Sequence, residues 1–118
     1  MTLRRRNSVL ECLERCRRLV RPMSLSHVVI FLYVAENQGL NVTELADVCR
    51  TTTATASRTA RALMAEGAMD ALPPFFGLLE AHPNPQDSKG RVLFLTKSGR
   101  RLREELDEFI REAVTISD

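Results

Sequence analysis

The apolar positions of this chain change their spacing several times, and each change marks an expected element. Val9, Leu13, Cys16 and Val20 recur at helical intervals, which predicts an amphipathic helix over 8–21, ended by Pro22. Residues 24–39 are nearly all apolar in the middle, with Ser24 or Ser26 as cap and Gly39 at the stop, and predict a buried central helix. His27, near its start, is expected in the cap region or on the surface. Residues 40–42 are short and extended. Thr43 then suits an N-cap, with Glu44 in the first turn, for a short helix facing Leu45, Ala46, Val48 and Cys49 inward.

The stretch RTTTATASRTARALM, residues 50–64, starts polar and turns apolar. Thr is a weak helix former, but Thr52 as cap leaves Ala, Arg and Leu to continue a helix to Glu66, stopping at Gly67. On that helix Thr53, Ala54, Thr55, Ser57, Arg58 and Arg61 share a broad polar arc. Ala56, Ala60 and Leu63 form the opposite stripe, and Thr59 lies near the core edge. The prolines of AMDALPPFFG (68–77) forbid a continuous helix there. Residues 78–82 and 91–96 are strand-like, and 83–90, with two prolines and a glycine, reads as the hairpin loop between them. Thr96 can cap a last helix over 97–116, on which Leu102, Leu106, Phe109, Ala113 and Ile116 repeat at about 3.5 residues, a coiled-coil-like spacing.

These elements make a mainly α fold with a minor β part. It is a winged helix-turn-helix with a two-stranded wing at 24–96, flanked by terminal helices at 8–21 and 97–116, in one domain spanning 1–118. Short hydroxyls and helix N-terminal amides suit phosphates, Arg suits guanine O6/N7 and Thr methyls suit thymine. The polar arc with Thr52 at its head is therefore a candidate recognition surface for double-stranded DNA.

Charge sharpens that picture. The net charge is only +2, but it is segregated. Residues 1–21 hold seven Arg against two Glu, residues 89–103 hold six bases and no acid, and residues 104–118 hold six acids against Arg111 alone. Local basic fields of this kind bind polyanions even on a near-neutral protein. At 118 residues and 44% apolar content, no run approaches the roughly 20 residues of a membrane span, and the N-terminus lacks the long apolar region of a secretory signal. A cytoplasmic protein with no membrane partner is expected. Cys12, Cys16 and Cys49 have no zinc or disulfide spacing; they read as small buried hydrophobes, with a redox role as the alternative. His27 and His82 are far apart, and no phosphate loop, metal-ligand cluster or nucleophile constellation is visible, so neither an enzyme nor a metal site is expected.

VTELADVCRTTTATASRTARALMAEG followed by LLEAHPNPQDSKGRVLFLTKSGR resembles the MarR family of bacterial and archaeal transcription regulators. Thr55, Ser57 and Arg58 match that family's TxSR. Asp87 and Lys89 match the D-x-R of the wing, and Leu93, Leu95, Thr96 and Gly99 match the strand and cap that follow. The resemblance covers roughly residues 24–103. It implies a homodimeric transcription regulator, more often a repressor, with each recognition helix in a major groove and each wing in a flanking minor groove. The wing residues would be Asp87, Ser88, Lys89 and Arg91. Lys is a point charge where the family has a planar fork, so the wing contact is expected to be mainly electrostatic.

The dimer interface is expected on the terminal helices, at Val9, Leu13, Cys16, Val20, Leu102, Leu106, Phe109, Ala113 and Ile116, with coverage of the chain's own core as the alternative. The segment 68–77 is additional to the usual passage from recognition helix to wing, and packing against the domain is its expected role. No cofactor is implied. A small-molecule effector of unknown identity stays open, at a site that would draw on Phe31, Tyr33, Phe75 and Phe76, with Phe31 and Tyr33 expected in the core instead. The rival function is a dimeric interaction adaptor or anti-repressor built on the same fold without specific DNA binding.

Overall fold

A computed structural model describes residues 5–19 and 21–117 of the chain. Its elements are α1 (Ser8–Arg17), α2 (Leu25–Glu36), β1 (Leu40–Asn41), α3 (Val42–Cys49), α4 (Thr53–Ala62), β2 (Leu79–Asn84), β3 (Asp87–Leu95) and α5 (Lys97–Arg111). The strands form one antiparallel sheet in the order β1-β3-β2, so the two-stranded wing gains a short third strand next to α3.

Caps explain where each helix begins. Asn7 accepts from the Leu10 amide and opens α1. Ser24 and His27 form a reciprocal capping box on α2: the His27 amide donates to Ser24 Oγ, and the Ser24 amide donates to His27 Nδ1, both at 3.2 Å. This is the cap-region role expected of His27. On α3 the cap is Asn41 and not Thr43. Asn41 Oδ1 accepts from the Glu44 amide at 2.8 Å while Glu44 Oε1 accepts from the Asn41 amide at 3.0 Å. Asn41 already has extended backbone from its pairing with Val92, so the helix starts one residue after the strand and Thr43 falls inside it. Thr52 caps α4 and Thr96 caps α5, as the sequence predicts.

Two helices end earlier than their periodicity suggests. Helix α4 stops at Ala62, not Glu66, because the chain that follows takes its last carbonyls. Leu72, Phe76, Gly77 and Leu78 donate to the carbonyls of Arg61, Ala62, Met64 and Leu63 respectively. Helix α5 stops at Arg111, not 116, because Val114 turns back onto Ser8. The hairpin is also longer than expected. Residues 83, 84 and 87–90 are in strands, and only Pro85 and Gln86 turn, with Asn84 Oδ1 accepting from the Gln86 amide at 3.0 Å.

Leu79, Leu93 and Leu95 on one face of the sheet join Phe31, Val34, Leu45, Ala56, Ala60 and Leu63 in a single core. Val48 of α3, expected inward, is exposed. Cys16, Leu102 and Leu106, expected between copies of the chain, are buried within it, and Phe109 packs half-buried against the same core. The reason is the pairing of α1 with α5, which run antiparallel. Ser8 Oγ donates to the Phe109 carbonyl at 2.9 Å, Cys12 reaches the Leu106 carbonyl, and Arg15 forks onto Glu105. That pairing leaves Val9, Leu13 and Ile110 exposed. Ala113 and Ile116 are exposed beyond the end of α5, and Val20 lies outside the described residues.

Candidate nucleic-acid interface

Helix α4 presents the arc expected of it. Ala56 and Ala60 are buried against the core, which turns Thr52, Thr53, Ala54 and Arg58 to solvent; Thr55, Ser57, Thr59 and Arg61 are half-buried along the edges. The leading turn is ordered by its own hydroxyls. Thr52 Oγ1 accepts from the Thr55 amide at 3.1 Å and donates to Thr55 Oγ1 at 3.0 Å. Thr52 thus satisfies one of the helix's open amides and fixes the rotamer of Thr55, while the positive end of the helix dipole faces solvent. Thr55 and Thr59 also form one wall of a shallow groove against Leu25, Val29 and Ile30 of α2.

The wing stands beside this helix. Ala81 pairs with Leu93 and His82 with Val92, so alternate residues of the hairpin face the core. On the other face, the ring of His82 meets Phe94 edge-on at 5.2 Å. Asp87, Ser88, Lys89 and Arg91 all lie on β3, and the side chains of Ser88 and Lys89 are outside the described residues. Gly90 keeps the tip narrow: a side chain there would meet Asp87 Oδ2 at 3.1 Å. Arg91 leans inward along the hairpin. Its Nη2 donates to the Ala81 carbonyl at 3.3 Å, and its Nη1 lies 3.9 Å from Asp70 Oδ2.

Residues 68–77 connect the two. Arg61 Nε on α4 donates to the Asp70 carbonyl at 2.7 Å. Asp70 itself holds a left-handed backbone, φ 64°, which Asp tolerates better than most residues. Phe76 anchors the other end of the segment, meeting the His27 ring edge-on at 5.0 Å. The segment packs on the domain, as expected, but it does more than fill space, since it joins α4 to the wing. Nothing in its composition announces that role: in the sequence Asp70 is only part of a break between elements.

The aromatic residues considered for an effector do not assemble into one site. Phe31 is fully buried, Tyr33 is half-buried on α2, and Phe76 is against His27. A different apolar cleft of about 410 Å³ opens between α1, α2 and α5, lined by Val9, Leu13, Val28, Leu32 and Ile110, with Cys12 and Cys16 in its wall. Burial pushes the thiols of Cys12, Cys16 and Cys49 above the ordinary range, which keeps them protonated and weakly nucleophilic. This favours the reading of all three as small hydrophobes. Among the described residues no helix is long and apolar enough to cross a membrane.

No protein-family model matches the chain, and no curated protein matches it. Solved structures do. Wild-type MarR from E. coli in its apo form superposes with a TM-score of 0.63 at 18% identity, covering 84% of this chain and 64% of MarR. The MepR–DNA complex from S. aureus gives 0.65 at 20% identity, covering 89% of this chain and 74% of that one. A MarR transcriptional regulator from Methanosarcina mazei Go1 gives 0.64 at 16% identity, covering 86% and 64%. The chain therefore spans about two-thirds of the length of these proteins. At such identities the likeness is one of architecture: this chain has the winged-helix fold of the MarR-type structures.

Proposed function

We propose that the protein is a sequence-specific double-stranded DNA-binding transcription regulator, acting as a repressor, and not an enzyme. The observation that carries this reading is the leading face of α4. A capped, solvent-facing helix N-terminus bears Thr53, Ala54 and Arg58 beside a wing whose strand is basic. The fold it shares with MepR, whose structure was solved as a DNA complex, supports the same assignment. In this reading α4 lies in the major groove, with Arg58 and the Thr methyls on base edges and Thr52, Ser57 and Arg61 toward phosphates. The wing, with Asp87, Ser88, Lys89 and Arg91, follows the adjacent minor groove.

A second copy completes the arrangement. Val9, Leu13 and Ile110 form an exposed apolar strip over the α1–α5 pair, with Ile116 beyond it, and the proposed homodimer covers that strip. Two recognition helices in such a dimer read half-sites about 34 Å apart, one helical turn. The protein then works in the cytoplasm, occluding promoter DNA.

Selection of bound duplexes from a random pool, with protein of measured oligomeric state, tests all of this together. A palindromic consensus with half-sites one turn apart supports it. Failure to bind any duplex at low salt would instead make the protein an interaction adaptor.

A further inference from the structure

We infer that Asp70 is a positioning residue that sets how much of the basic face is open to a polyanion; this rests on the DNA-binding reading above. Asp70 makes two different contacts with two different elements. Through its backbone carbonyl it takes Arg61 Nε of α4 at 2.7 Å. Through its carboxylate it lies 3.9 Å from Arg91 Nη1 of β3. The two arginines are both on the elements that would face DNA, and both reach the same exposed turn.

The contacts have opposite consequences. The carbonyl contact uses only Nε, so it orients the Arg61 guanidinium while its terminal nitrogens make no hydrogen bond to any described residue. That is a preorganised donor pair for a phosphate. The carboxylate contact competes. Asp70 is an anion placed where a DNA phosphate would approach Arg91, so this carboxylate, its side chain 64% exposed, and a phosphate compete for the same guanidinium. The backbone of Leu72, which donates to the Arg61 carbonyl at 3.0 Å, fixes the turn against α4, so the anion cannot drift away from the interface. One residue therefore aims one arginine and restrains another.

The two roles separate by substitution, because Asn and Gly keep both the carbonyl and the left-handed backbone whereas they remove the charge. Asp70→Asn and Asp70→Gly are compared with the parent protein on a generic duplex across a salt series, and on immobilised heparin as a probe polyanion. Both variants are expected to bind about two- to five-fold more tightly at low salt. The slope of log K against log salt is expected to steepen by roughly 0.9, as Arg91 gains one phosphate. The gain should vanish when Arg91→Ala is added. Unchanged or weaker binding to both polyanions by both variants overturns the inference, and so does a gain that persists without Arg91, since it would reflect net charge alone. A gain on heparin with no duplex binding by any of the proteins upholds the role of Asp70 and rejects the DNA-binding reading.

Discussion

Ser8 and Val114 are joined by a pair of hydrogen bonds across 106 residues: the Ser8 amide donates to the Val114 carbonyl at 2.9 Å, and the Val114 amide donates to Ser8 Oγ at 2.8 Å. The same hydroxyl donates to the Phe109 carbonyl. Ser8 is buried, so Ser8→Ala leaves two part-buried backbone groups, the Phe109 carbonyl and the Val114 amide, without their partner. A loss of about 1–3 kcal/mol in unfolding free energy is expected, read by urea denaturation. A loss below a few tenths would mean that water replaces the hydroxyl.

Gly99 sits where α5 crosses the segment before β2. A methyl group built on it would lie 2.2 Å from the Leu78 carbonyl oxygen and 3.2 Å from Leu95 Cβ. Both neighbours are core-facing and Leu78 is backbone, so neither can rotate away. Gly99→Ala is expected to destabilise by about 3 kcal/mol or more, despite the better helix propensity of Ala. A lowered thermal midpoint measures it.

Arg58 is the exposed base in the middle of the α4 arc. If it reads a guanine, Arg58→Ala costs about 1–3 kcal/mol of binding to the selected duplex and relaxes preference at one position. A loss that is uniform over all sequences would move Arg58 from base reading to phosphate contact.

His27 supplies the pH dependence. Burial lowers its pKa below the ordinary value of about 6.5, and its Nδ1 accepts the capping-box bond only when unprotonated. The unfolded chain then binds a proton before the folded one does. The contribution of His27 is fully present above about pH 6.5 and is lost as pH falls through the lowered folded value. Chemical denaturation at a series of pH values between 7 and 5 shows this as a declining stability, and His27→Gln should flatten that part of the curve.

Leu13 and Ile110 are about half-exposed on the strip assigned to the second copy. Leu13→Asp with Ile110→Asp is expected to yield a folded monomer by sedimentation, with unchanged circular dichroism and much weaker binding to a palindromic duplex. A dimer that survives both changes would place its interface elsewhere.

The α4 surface was legible in the sequence because its signals are local: Thr52 three residues before an amide it can accept, and Ala at the positions that must pack closely. The cap of α3 was misplaced by two residues although its signal was also local. Asn41 and Glu44 have the spacing of a capping box, but Thr43 is also a cap residue by type, and the pairing of Asn41 with Val92 decides between them. The ends of α4 and α5 were not legible. Ala62 to Met64 favour helix by propensity, and what stops them is a set of donors from residues 72–78. Likewise the seam through Ala113 and Ile116 is periodic on paper, but Ser8 ends it. The Asp70 contacts belong to the same class, since no spacing rule links residues 61, 70 and 91.

Thr96 alone separates β3 from α5, and it is tied at both sides: its hydroxyl donates to the Gly77 carbonyl at 2.6 Å and accepts from the Gly99 amide at 3.0 Å. There is consequently no slack between the wing and the helix beneath the α1–α5 cleft. A tilt of α5 would therefore swing the hairpin with it as a lever, with the bend falling elsewhere in the chain.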